Sequence, residues 1–469
     1  VVKNLLVVIG FFLSLDTFSQ HNSEIFVKEE SISSEELLQK LIQFESISTK
    51  ENPLAEFVMT FSKNYGLYVQ NFSKNLNATN FTASLYPLSA NKPNIILTSH
   101  LDVVPSNDIK NWKYPPFSGK IVNDTIWGRG AIDCKGLAVM QLAAIINFVA
   151  LSKTQNLNYN VTFLGISGEE NNNPDGANYI ISEHLKELNP IVVFGEGGSG
   201  LTNLVPSKPE LEVFGISVAE KSSLWLRLDA KNKANGHGAV PPDLYANKRL
   251  IKALIDLLDQ KRKIKFLKVS REMFKELGKL EGGFKGFIIK HINWTVFWPF
   301  VKKYFREGEI FNVLVNNTFL ISEMGTINSG SVNQIGSGAY AVLDCRLLPG
   351  TDKKKFIRKV QFAVGLKVNI TIISESPNTL PSKKDQFYEN MQQALQNVYP
   401  KCMVSPILFP ASTDNNYFRQ YQIPTFGIIP VIFSRNALEG VHGDNEYLPI
   451  KDLYLGIEVY KKFISLTLK

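Results

Sequence analysis

Five residues of metal-binding type, His100, Asp133, Glu170, Glu196 and His442, stand where apolar segments end or beside glycines. Two zinc ions about 3.5–4 Å apart need one bridging carboxylate and further N or O ligands for each ion. These five supply one imidazole and one terminal carboxylate per ion, with a carboxylate left to bridge. Asp102 follows His100 by two positions, so on an extended segment both side chains share a face, and the carboxylate can fix which ring nitrogen is free for a metal. Glu169, next to Glu170, is placed to take a proton from an attacking water. Singly, each residue also has a structural reading: Asp133 as a helix cap, Glu169-Glu170 as a solvated helix start, His442 as a loop histidine. Jointly, several such side chains at the ends of buried strands carry a desolvation cost unless something binds them. His21, His184 and His291 lie on polar or irregular segments and read as solvated.

The elements that must position these groups follow from hydrophobic patterning. The apolar run 94–98 predicts a buried strand that delivers His100, and 159–166 predicts another that ends in Ser167-Gly168-Glu169-Glu170. A third, 191–194, ends in Gly195-Glu196-Gly197-Gly198. Helical periodicity runs from Ser34, as a cap, to about Tyr65; an almost wholly apolar helix is expected over 137–150, and another over 176–187. Strands alternating with helices imply a mostly parallel α/β sheet sandwiched by helices, with its site outside the carboxyl ends of the strands. The pattern changes near Pro206 to Pro209. Strands over 211–218, 224–231, 339–347 and 366–373, with helices over 243–258 and 352–364, suit a smaller α/β sandwich inserted as a lid. The expected division is a catalytic unit of 21–209 and 377–469, and a lid of 210–376 that carries an insertion over 261–317. That insertion is basic at 261–263 and rich in Phe and Trp. It reads as a roof over the site, as an interfacial patch resting on anionic membrane, or as packing within the lid.

At 469 residues the chain has room for two domains, and 44% hydrophobic with 20% charged residues is the balance of an ordinary globular protein. The net charge of +8 does not indicate nucleic acid, because no basic stripe with base-stacking aromatics accompanies it. Lys3 followed by the apolar run 5–15 fits an export signal over 1–20, cleaved near Ser19 or Gln20, and hence a secreted or periplasmic protein. Cys134, Cys345 and Cys402 leave an odd count without metal-ligand spacing and read as packed thiols.

H-x-D at 100–102, G-R-G-A-x-D-x-K-G at 128–136, G-E-E at 168–170, E-G-G at 196–198 and H-G-x-N-E at 442–446 resemble, in order, the motifs of the di-zinc metallopeptidases that include aminoacylases, glutamate carboxypeptidases, carnosinases and desuccinylases. The resemblance implies that His100, Asp133, Glu170, Glu196 and His442 hold two Zn2+, or other divalent ions, with Asp133 bridging. It makes Asp102 the residue that orients His100 and Glu169 the general base. Asn235 to Pro242 is similar to the family's G-H-S-x-x-P segment, which makes His237 the group that steadies the oxyanion, often from across a dimer formed through the lid. Asp344 to Gly350 resembles D-x-R-x-x-P-G, so Arg346, with Asn333, would hold a substrate carboxylate; Asn333-Gln334-Ile335-Gly336 departs from the usual N-V-I-P. The insertion and the Thr413-Asp414 loop are similar to the subgroup of Gly-X carboxypeptidase and the N-fatty-acyl-amino-acid synthase/hydrolases, although Asn415 and Asn416 stand where that subgroup often has an Arg. The implied activity is zinc-dependent hydrolysis of the amide joining an acyl or aminoacyl group to a C-terminal amino acid. The alternative is an inactive relative that binds such molecules.

Overall fold

The computed structural model describes residues 32–75, 77–106, 108–232, 236–260, 264–305, 310–328 and 330–468. The expected export signal and the Lys261-Arg262-Lys263 run lie outside the described residues.

An eight-stranded, mostly parallel sheet forms the larger unit. Its order is Tyr68–Asn71, Phe81–Ser84, Asn160–Ile166, Asn94–His100, Pro190–Leu201, Thr425–Ile432, Val213–Glu220 and Met403–Phe409. The His100 strand runs parallel to the strands on both sides of it, with His100 opposite Ile166. Every position of Asn94–His100 and of Asn160–Ile166 is buried, as expected of parallel strands covered on both faces. The helix Lys135–Ile146 is buried through Ile145 and packs against the C-terminal helix Ile450–Thr467. Such a helix suits a chain segment with no polar stripe, since it has no face to offer water.

A second sheet, entirely antiparallel, has the order Thr318–Ile327, Gly338–Leu347, Ser222–Lys231 and Val368–Glu375. Helices Ala246–Leu258 and Lys353–Val364 close its core, which is separate from that of the larger unit. This is the inserted α/β sandwich.

Several expectations need correction. The strand expected over 211–218 in the lid is Val213–Glu220, and it belongs to the larger sheet, parallel to Met403–Phe409. Its eight positions are all buried, whereas Ser222–Lys231 alternates in its second half, so a continuous apolar run had marked the two-sided sheet. The chain therefore crosses between units at Lys221. The continuous helical pattern from Ser34 to Tyr65 is two helices, Ser34–Gln43 and Asn52–Asn64, and the first is capped by Ser33 in a reciprocal pair with Glu36 rather than by Ser34. Thr49 at φ 79 and Pro53 force the break. The described residues of the insertion pack on the larger unit rather than within the lid. Val269, Phe274 and Leu277 of its helix Lys268–Glu281 join the core of the larger unit, where that helix lies on the edge strand Met403–Phe409.

Candidate metal centre

The ligand-type residues converge from five separated segments. His100 ends its strand, and its Nδ1 lies 3.0 Å from the Asp102 carbonyl oxygen and 3.5 Å from the Asp102 carboxylate. That leaves Nε2 turned to Asp133, at 3.0 Å, and Glu196, at 3.9 Å. His442 Nε2 lies 3.2 Å from the other Asp133 oxygen and 3.0 Å from Glu170. Two groups of donor atoms result, His100 with Asp133, Cys134 and Glu196, and His442 with Asp133 and Glu170. Asp133 alone belongs to both, offering one oxygen to each side.

Each position has a local cause. Glu196 does not end its strand, as the sequence suggested, because the strand continues to Leu201. Instead the register against Thr425–Ile432 jumps, Gly427 facing Gly195 and Ile428 facing Gly198, so Glu196 and Gly197 form a bulge. Such extra residues re-aim a side chain. Gly198 permits the bend, since a Cβ there would meet the Gly215 carbonyl oxygen at 1.7 Å. His442 stands at φ 57 in the loop between the helix Arg435–Gly440 and the strand Tyr447–Pro449.

A buried clasp joins that loop to the Asp133 turn. Glu446 accepts hydrogen bonds from Arg129 Nη1 at 2.8 Å and from the backbone N–H groups of Gly130, Ile132 and Asp133 at 2.9, 2.8 and 3.0 Å. Arg129 also donates to the Gly443 carbonyl at 2.6 Å. Asp102 performs the same service on the opposite side. Its carboxylate accepts from Ser48 Oγ at 2.6 Å and from the backbone N–H groups of Glu169 and Glu170 at 3.1 and 3.2 Å. One acid thus orients His100 and pins the turn that carries Glu170 and Glu169. Sequence reasoning missed the roles of Arg129, Glu446 and Ser48, and the nearness of Cys134 and Asp414. The first two lay inside quoted motifs, while Ser48 sits in a helix break that the periodicity concealed.

The charges fit a cation pair. Burial pushes Glu196 and Glu170 up from the ordinary carboxylate range, and Asp133 adds to it. Glu170 Oε1 is buried with no hydrogen-bond partner. Hydrogen bonds to Asp133 and Glu170 raise His442 to about 10. Burial opposes protonation of His100, but Cys134, Asp102 and Asp133 outweigh it and hold the ring well above its usual value. Asp133 itself stays low, because the two imidazoles overcome its burial. Three carboxylates and two imidazoles thus face one another, a hard and borderline donor set suited to zinc. Burial lifts the Cys134 thiol to about 12. Glu169 is also pushed well up, by burial first, then by Asp414, Glu170 and Asp133 against the pull of His100. Asp414 is raised to about 7 by burial and by Asp102 and Glu220.

The lid residues stand elsewhere. His237 is exposed, its Nδ1 accepting from the Ala239 N–H at 3.0 Å, and it pairs with Gln334 beside Asn333. Asn333 uses its side-chain oxygen to accept from Ser331 and its carbonyl to accept from the Gly238 N–H. Arg346 is engaged by Asp344, at 2.9 Å, and Asp344 also accepts from Trp225. His237 and Asn333 are therefore brought together, but among the described contacts none joins them or Arg346 to the five ligands. A cavity of about 1400 Å3 opens between the two units. It is walled by Asn172 beyond Glu170, by Tyr417 beyond Asp414, and by Trp225, Lys353 and Ser374 of the lid.

A model of peptidase family M20/M25/M40 matches residues 96–466. The N-fatty-acyl-amino acid synthase/hydrolase PM20D1 of Mus musculus is 26% identical over 460 residues, which is 94% of this chain and 89% of that protein. The probable carboxypeptidase S-like 2 of Dictyostelium discoideum is 25% identical over 412 residues, 86% of this chain and 75% of that protein. Among solved structures, the M20 family metallo-carboxypeptidase Sso-CP2 of Sulfolobus solfataricus has a TM-score of 0.69 at 21% identity, covering 92% of this chain and 98% of that one. YXEP of Bacillus subtilis, a dinuclear metal-binding peptidase, has a TM-score of 0.53 at 14% identity, covering 93% and 97%. At these identities the structures bear on the fold.

Proposed function

Because the chain belongs to peptidase family M20/M25/M40, we propose that it hydrolyses the amide bond between an acyl or aminoacyl group and a C-terminal amino acid, with two zinc ions held by His100, Asp133, Glu170, Glu196 and His442. The observation that carries this reading is the pair of donor groups sharing Asp133. Zinc held by these residues would supply a Lewis acid for the scissile carbonyl and would acidify water. Glu169 takes the proton of the attacking water and returns it to the leaving nitrogen, so one carboxyl acts in turn as base and acid. Its raised affinity for a proton suits the second half of that task. Asp102 keeps the His100 ring turned and the Glu169 backbone fixed. Arg346, released from Asp344, and Asn333 hold the free carboxylate of the substrate through a planar fork and an amide. His237 donates a hydrogen bond to the oxygen on which charge develops. Its exposure, together with its distance from the cluster in contact terms, supports delivery from a partner subunit through a lid-mediated homodimer.

The apolar run 5–15 supports export, which N-terminal sequencing of the mature protein would establish. The activity is tested by metal analysis together with hydrolysis of N-acetyl, N-oleoyl and dipeptide substrates. Two equivalents of zinc and cleavage of any of these are expected; a metal-loaded protein inert to all three classes overturns the reading.

A further inference from the structure

The insertion that packs on the edge of the large sheet presents an outer surface with no use in the chemistry above. Its anchoring strand, Met403–Phe409, lies three strands away from the Glu196 strand, and no described residue of 264–313 lines the cavity between the units. Helix Gly283–Lys290 crosses Lys268–Glu281 at two glycines, where a Cβ on Gly286 would meet the Gly278 carbonyl oxygen at 2.3 Å. That close approach sits flush only if the inner face is bare, and it turns the large side chains outward. Phe284 is 75% exposed, Trp294 47% and Phe300 65%. They are not loose. Phe287 meets His291 at 4.6 Å and Phe297 at 5.8 Å, and Trp294 stacks on Phe297 at 5.9 Å with 9° between the rings. A monomeric soluble surface has no reason to hold a preassembled aromatic cluster in water.

Between Gly282 and Phe305 there is no acidic residue, while Lys285, Lys290 and Lys302 are exposed around the rings. A groove of about 390 Å3 continues the patch through His291 and Lys290 to Lys268, Arg271 and Lys275, with Glu272 its single acid. Rings beside ammonium groups of this spacing match the two layers of an anionic membrane surface, the acyl boundary for the aromatics and the phosphates for the lysines.

We propose that this face docks the protein on an anionic lipid bilayer, with Phe284, Trp294 and Phe300 entering the interface and Lys285, Lys290 and the Lys268–Lys275 groove holding lipid phosphates. The inference is independent of the reaction assigned to the metal centre.

The test is flotation of the full chain with vesicles of phosphatidylcholine alone or mixed with phosphatidylserine. Binding is expected to require phosphatidylserine and to fall with rising salt. The double substitution Lys285→Glu/Lys290→Glu should weaken it at least roughly 25-fold, at about five-fold for each lysine near the surface. Phe284→Ser should cost about ten-fold through lost apolar contact. Both variants change exposed side chains, and an unaltered melting temperature certifies their fold. Quenching of tryptophan fluorescence by brominated lipid should decrease in Trp294→Phe. The N-terminal segment is common to all these chains, so the differences report on the patch. Binding that ignores lipid charge, or that is equal in wild type and variants, overturns the proposal. So does a solution dimer that these substitutions dissolve without any vesicle binding, since the occupant would then be a second copy.

Discussion

The metal centre and the lid motifs carry the same kind of residue but stand in opposite states. At the centre, four of the five candidate ligand segments are tied in pairs: the Asp133 turn to the His442 loop through Arg129 and Glu446, the His100 strand to the Glu170 turn through Asp102. In the lid, His237 is open to solvent and Arg346 is engaged by its neighbour Asp344. The first region is preorganised at the cost of buried charge; the second has its functional groups parked in local contacts. On the function proposed above, a site built this way would bind its ions in one unit and would complete its substrate contacts only when a second unit arrives, from the same chain or from a partner.

Substitutions can break that contrast in order of severity. Asp133→Ala removes the shared oxygen pair, so metal analysis should fall from two equivalents to none and hydrolysis should vanish; retention of one tight ion would mean that the two groups are independent. Glu169→Gln should lower kcat by about 100- to 10,000-fold while the zinc content stays at two, and loss of metal would instead make Glu169 a ligand. His237→Ala should lower kcat by about 100- to 1,000-fold, again with metal intact. Mixing it with Glu169→Gln sharpens the comparison: activity regained in the mixture places the lid histidine across a dimer, and none regained places it in the same chain.

Glu446→Gln tests the clasp. Both partners are almost completely buried, with side-chain exposures of 1% for Arg129 and 0% for Glu446. Leaving Arg129 unpaired should therefore cost about 3–5 kcal/mol in urea denaturation, whereas the exposed Arg435–Glu439 pair should cost at most about 1 kcal/mol. The mildest test is pH. With His442 raised from 6.5 to about 10 in the metal-free protein, its bonds to Asp133 and Glu170 add stability that is fully present below pH 6.5 and lost as pH rises through about 10. A cation needs the neutral ring, so its apparent affinity should climb over the same window, with a proton released on binding. Titration calorimetry in buffers of different ionisation enthalpy measures that proton, and His442→Gln should reduce it.

The sequence exposed the parts of the site that local chemistry specifies. An apolar run followed by His-x-Asp, and another followed by Gly-Glu-Glu, announce strand ends because burial and ligation demand different residues side by side. What it concealed depends on partners far along the chain. The Glu196 bulge exists only against Gly427, and Val213–Glu220 joins the large sheet through neighbours near residues 403 and 425. Ser48 could not be seen as an Asp102 partner while its segment read as continuous helix. Arg129 and Glu446 were visible as motif letters, but their pairing spans 317 positions, and nothing nearby announces it.

That span has a biosynthetic meaning. Glu446 follows Asp133 by 313 positions, and the N–H groups it captures include that of Asp133 itself. During synthesis the central acid of the cluster lacks this anchor until more than three hundred further residues have emerged, so a product that stops short of Glu446 is denied a working hydrolytic centre, and the cell is spared a half-made amidase.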